Sequence, residues 1–201
     1  MTTYRPQVKI DMEETYAILC HSSSLERQLS TMRQNAAFCI VAGDVAYNDT
    51  LVEALQCLSK KGKAGIYVSA TRSYDATCKY LDARGVDISQ LIIIDAMTME
   101  LMYGDCAYEK GSAGMLPESM GKISRAVLRG AASNSGGFVL FDSVEVFARY
   151  EDARSARVFF SQTLDILKKT NVTAVAISTP SASTDGLDSI YELFDVKIKV
   201  G

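Results

Sequence analysis

Short apolar runs alternate with segments of helical period along most of this chain. The runs are Phe38–Gly43 (FCIVAG), Ala64–Ala70 (AGIYVSA), Leu91–Met97 (LIIIDAM), Phe138–Phe141 (FVLF), Thr173–Thr179 (TAVAIST) and Val196–Val200. Apolar on consecutive positions, they predict parallel strands covered by helices on both faces. Between them, apolar residues recur at helical spacing. Leu51, Leu55 and Leu58 mark the buried face of one helix, which runs to about Lys61. Ser73 begins another, and Gly85 ends it as a C′ residue. Met120, Ile123, Val127 and Ala131 follow Pro117 on a third. Ala156, Phe160, Thr163, Leu164 and Leu167 lie on a long helix over 152–170, stopped at Asn171. A short helix spans Leu187–Phe194.

The first 14 residues are polar and loose. Thr15–Cys20 reads equally as a strand or a helical turn. Ser23 and Glu26 match a capping box ahead of Leu25, Leu29 and Met32, and Asn35 is the expected stop. This alternation of strand and helix predicts a three-layer α/β/α sandwich with a mostly parallel central sheet. No internal repeat and no linker divides the chain. Residues 1–35 are expected to be an N-terminal extension packing on a core domain of 36–201.

Residues 98–116 break the rhythm, and loops of that length in a compact domain are usually functional or mobile. The segment is expected to exchange its amide hydrogens quickly. Met99, Met102, Tyr103 and Tyr108, with Met97 beside them, form a candidate partner surface. The competing expectation is that they are core residues of a loop folding back.

Composition narrows the function. Apolar residues make up 48% of the 201 residues, enough for a sizeable core, and 22% are charged. A net charge of −3 argues against general nucleic-acid binding, which rests on basic surface. No apolar run reaches the length of a membrane span, and no signal-peptide core opens the chain. A cytoplasmic protein is therefore expected. The five cysteines (20, 39, 57, 78, 106) form no C-x-x-C pair and are expected as small buried residues. His21 is the single histidine and makes no metal site alone. No metal site is expected. Lys60, Lys61 and Lys63 suit the negative end of a helix dipole better than a nucleic-acid patch.

The stretch with candidate chemistry is FCIVAGDVAYNDT, a strand, a turn and a helix start. A phosphate-binding P-loop, G-x-x-x-x-G-K-[ST], has this layout. Gly43 and Thr50 stand in register with its first and last positions, but Asn48 replaces the second glycine and Asp49 the lysine. Asp44 adds a second acid at the entrance. A unit-charge contact at ~4 Å is worth roughly 4 kcal/mol at an effective dielectric near 20, so Lys-to-Asp turns attraction into repulsion. Asn48, Asp49 and Thr50 are also good N-cap residues, and Thr50 with Glu53 fits a capping box. The helix is thus expected to satisfy its own free N–H groups where a phosphate would otherwise sit. Asp95, closing LIIID, is expected to tidy a strand end, with acid/base work in the crevice as the alternative.

With these elements placed, residues 36–200 resemble the RecA/KaiC-type core of P-loop ATPases, especially the KaiC-like and RadA-like proteins common in archaea. Three segments carry the resemblance: FCIVAGDVAYNDTLVEAL at the Walker A position, KKGKAGIYVSATRSYDATCKYLDARGVDISQLIIIDAMT, and GFVLFDS, where Asp142 and Ser143 match Walker B. The resemblance implies a RecA-like P-loop NTPase fold. It also implies a strand order 3-2-4-5-1-6, counting Phe38–Gly43 as the first strand. The Walker A lysine and second glycine are missing, and Ala70-Thr71-Arg72 follows the second strand without the water-activating carboxylates of active relatives.

Gly43, Asp44, Asn48, Asp49, Thr50, Asp142 and Ser143 are then vestigial nucleotide positions, with no catalytic residue among them. The function this implies is that of a non-catalytic pseudo-ATPase module for regulation or protein interaction. It would need no cofactor, and its partner would be an active RecA/KaiC-like relative or a second copy of itself. The alternative is a nucleotide- or small-ligand-binding domain, with ATP and Mg held weakly. A DNA-repair accessory role is suggested by the family alone and opposed by the acidic charge.

Overall fold

The computed structural model describes residues 17–19, 22–31, 35–60, 64–98, 118–150, 152–179 and 186–200. The strands are β1 (Ala17–Leu19), β2 (Ala37–Ala42), β3 (Gly65–Ser69), β4 (Leu91–Asp95), β5 (Phe138–Asp142), β6 (Thr173–Ser178) and β7 (Val196–Val200). The helices are α1 (Ser22–Ser30), α2 (Tyr47–Ser59), α3 (Tyr74–Asp82), α4 (Glu118–Ser133), α5 (Val144–Tyr150), α6 (Ala153–Lys169) and α7 (Leu187–Tyr191). His21, Pro117, Met99, Met102, Tyr103 and Tyr108 lie outside the described residues, as does nearly all of the 98–116 segment.

The strands form one sheet in the order β1-β7-β2-β6-β5-β3-β4, and every pair is parallel. Counted from β2, six of them read 3-2-4-5-1-6, the order that the resemblance implies, with β1 added beyond β7. β5 lies between β3 and β6, with Ser69 opposite Asp142 and Asp142 opposite Ile177.

The alternation of side chains along each strand builds the two outer layers. In β5, Phe138 and Leu140 face one core with Leu51, Leu55 and Leu58 of α2, Leu25 of α1 and Leu81 of α3. Val139 and Phe141 face the other, with α4, α5, α6 and α7. Phe141, Phe159 and Phe160 are fully buried there, and Phe147 and Phe194 complete an aromatic cluster. Gly65 is needed for close approach, since a Cβ there would overlap the Phe138 ring.

Two points about the elements differ from the sequence reading. Leu91–Met97 reads as a strand through Met97, but β4 ends at Asp95. It lies at the sheet edge, where the implied order puts it, with Ile92 42% exposed. Ile94 packs in one core and Leu91 and Ile93 against the other. Helix α5 is not legible as a separate element, because only nine residues separate β5 from the Asp152 cap of α6. Asp152 itself caps as the helix rule demands, its carboxylate accepting from Ser155 N–H at 2.8 Å. Asn171, with φ 62, ends that helix.

Candidate functional site

The carboxyl ends of β2, β3, β5 and β6 lie side by side at one end of the parallel strands, where open α/β sheets place their ligands. Asp142 is the last residue of β5 and is fully buried. Its Oδ1 accepts from the Tyr47 hydroxyl, at the start of α2. Its Oδ2 accepts from the Tyr67 hydroxyl of β3, from Thr71 Oγ1 at 2.8 Å and from Arg72 Nη1 at 3.4 Å. A carboxylate has about four lone-pair sites, and four side chains of this chain supply donors to them. Burial, and then the Asp142 charge, push both tyrosine hydroxyls above their ordinary range, so they stay protonated and donating.

The turn before α2 is short. Asp44, Val45 and Ala46 separate Gly43 from the helix, and Ala46 N–H donates back to the Gly43 carbonyl at 2.9 Å. Val45 is 97% exposed at the tip. Frame positions 47–50 are already helical. The self-capping expectation is corrected here. Ala46, not Asn48, Asp49 or Thr50, is the N-cap residue and makes no side-chain cap, and Thr50 N–H donates to the Ala46 carbonyl at 2.8 Å. Thr50 is a buried first-turn residue, 3% exposed. The three cap-type residues in a row misdirect the sequence reading; the turn closed by Ala46 starts the helix at Tyr47 and aims that side chain at Asp142.

Neither Asn48 nor Asp49 is hydrogen-bonded to Asp142 by its side chain. Asn48 Oδ1 accepts from Arg72 Nη2 at 2.8 Å and from Tyr80 at 3.2 Å. The Asp49 side chain is 88% exposed and pairs with Arg84 at 3.5 Å. Two guanidinium groups lie over the Tyr80 ring, Arg72 at 4.2 Å and Arg84 at 4.9 Å from the ring centre. This ladder ties the first turn of α2 to α3. Asp95 does strand-end work, as expected: it accepts from Tyr74 N–H, Thr98 N–H and Thr98 Oγ1, each at 2.7 Å.

Sequence reasoning missed Glu145. It lies on α5, 2% exposed, and its Oε1 accepts from the Ser178 hydroxyl, from Thr179 N–H and, at 3.4 Å, from the Tyr191 hydroxyl. Its Oε2 has no hydrogen-bond partner among the described residues. The one available signal was a lone acid inside an apolar run, VEVF, three residues after Asp142. Tyr47 and Tyr67 were also missed; a tyrosine within a fully apolar strand such as GIYVS implies a buried partner for its hydroxyl. Ser143 is buried beside Asp142, and the peptide bond joining them is cis.

Among solved structures, the chain is similar to the KaiC-like protein PH0186 from the hyperthermophilic archaeon Pyrococcus horikoshii OT3. The identity is 12%, the match covers 83% of this chain and 72% of that one, and the TM-score is 0.60. The fold is RecA/KaiC-like. At this identity the likeness is one of fold alone. No family model and no curated protein matches the chain. Asp142 ends β5, and Gly43–Thr50 spans the turn after β2 and the first turn of α2. Among the described residues, no helix is long and apolar enough to cross a membrane, and no cluster of metal-ligating side chains is present.

Proposed function

We propose that this chain is a non-catalytic RecA/KaiC-like domain that acts as a protein-interaction or regulatory module. The observation that carries the proposal is the engagement of Asp142. In P-loop chemistry this carboxylate serves a metal ion and the lysine serves the phosphates. Here Asp142 takes its hydrogen bonds from Tyr47, Tyr67, Thr71 and Arg72, and position 49 carries an exposed acid paired with Arg84. That donor set does not suit a Mg-nucleotide. Arg72 beside Asp142 opposes a second cation, and Asp49 opposes a polyphosphate. Thr71 and Arg72 follow β3 where a water-activating acid would be needed. The partner would be an active relative or a second copy of the chain.

One observation favours the second proposal, a domain that holds a nucleotide or small ligand weakly. The N-cap residue of α2 is Ala46, whose side chain offers no acceptor to the first-turn N–H groups.

Phosphate release from Mg-ATP separates hydrolysis from its absence. The native protein is expected to release no phosphate above the uncatalysed blank. Turnover that scales with protein concentration and disappears in Asp142→Asn would overturn the non-catalytic proposal.

A further inference from the structure

We propose that a groove formed by α1, α2 and the end of α3 receives a lysine or arginine side chain from a protein partner other than a second copy of this chain. The groove has a volume of about 380 Å³ and is open to solvent rather than enclosed. This proposal rests on the interaction-module reading of the domain and names the chemistry of its partner.

The walls are charged, and the charges are unevenly matched. At one end Lys60 pairs with Glu26 at 3.0 Å, and at the other Arg84 pairs with Asp49 at 3.5 Å. Glu53 lies between them and has no ion-pair partner among the described residues. Among the described residues the lining therefore carries three acids against two bases. Partial burial, and then the neighbouring Glu26, raise the Glu53 carboxyl above its ordinary range, with Lys60 only partly opposing them. Val52 and the buried Cys57 supply an apolar floor. A cationic side chain satisfies both features at once: its methylene stem lies along the floor and its head meets Glu53. An acidic or purely apolar side chain would leave Glu53 unmatched. The open shape suits a side chain presented by another surface.

The test is an amide NMR titration of the full chain with N-acetyl-arginine amide, and with N-acetyl-glutamate amide as the control. The arginine probe is expected to move the Val52, Glu53 and Cys57 amides progressively, with a Kd on the order of millimolar for a single side chain. The acidic probe should leave them in place. Glu53→Gln should weaken the arginine probe by roughly fivefold or more, the loss of one charge-assisted contact. Lys60→Ala should strengthen it by roughly twofold, because it frees Glu26 to act as a second carboxylate. Both changes are on the surface, and near-ultraviolet circular dichroism checks that the fold is intact.

Shifts scattered over the surface, or equal affinity in Glu53→Gln, would overturn the proposal. Movement of the same amides on raising the protein concentration without probe would place a second copy in the groove and also overturn it. The result is independent of ATP turnover, so failure of the groove and failure of the non-catalytic reading are distinguishable.

Discussion

Replacing Asp142 with alanine is expected to destabilise the fold by about 3–5 kcal/mol, the usual loss when one partner of a buried charged network is removed. The carboxylate is fully buried and holds donors from three separate segments: Tyr47 on α2, Tyr67 on β3, and Thr71 with Arg72 in the turn after β3. Alanine strands two buried hydroxyls and leaves the Arg72 guanidinium, whose side chain is 22% exposed, without its counter-charge. An asparagine side chain at this position would retain one acceptor oxygen but turn an NH₂ toward a donor, so Asp142→Asn should cost less than alanine, about 2–3 kcal/mol. Tyr47→Phe leaves three donors in place and should cost only about 1 kcal/mol. Equilibrium urea unfolding, with the order alanine, asparagine, phenylalanine from most to least destabilised, checks the network. A cost below about 1 kcal/mol for Asp142→Ala would show that these contacts do not hold the loop to the sheet.

Phe160→Ala is expected to cost about 3–5 kcal/mol, towards the upper end. The ring is fully buried and meets four other rings: Phe141 at 5.4 Å, Phe147 at 5.5 Å, Phe159 at 5.1 Å and Phe194 at 6.0 Å. Those neighbours come from β5, α5, α6 and the turn after α7, so no single segment can shift to fill the cavity. Removing the ring forfeits transfer free energy and edge-to-face contacts each worth ~0.5–1.5 kcal/mol. The urea midpoint should fall with the slope unchanged, because the surface exposed on unfolding is nearly the same. A large change in slope would indicate loss of the two-state transition instead.

The fold is legible where a local pattern decides it. Apolar runs, helical spacing and the helix stop at Asn171 need no knowledge of the rest of the chain. The strand order follows from the resemblance, with β5 seated between β3 and β6. What stays hidden is non-local. LIIID alone reads the same at an edge as in the interior, and only the implied strand order places it at the edge. The hydroxyl of Tyr47 meets a carboxylate 95 residues away, and no spacing rule links the two. Asp49 stands in the lysine position of the motif, yet its side chain points to solvent and Arg84, which only the helix start at Tyr47 determines. Asn48, Asp49 and Thr50 are cap residues by type, whereas the turn closed by Ala46 decides where the helix begins.

The same geometry alters the expected route back to binding. Asn48→Gly with Asp49→Lys restores the motif's letters but leaves Tyr47 against Asp142 and places the new lysine where Asp49 points outward. That double variant is expected to stay unresponsive to nucleotide, marking a loop whose shape has diverged rather than one disabled at two positions. Calorimetry of Mg-ATP with the native protein tests the central claim most directly. The account predicts at most millimolar binding, on the order of 4 kcal/mol or less. Micromolar binding by the native protein would contradict it.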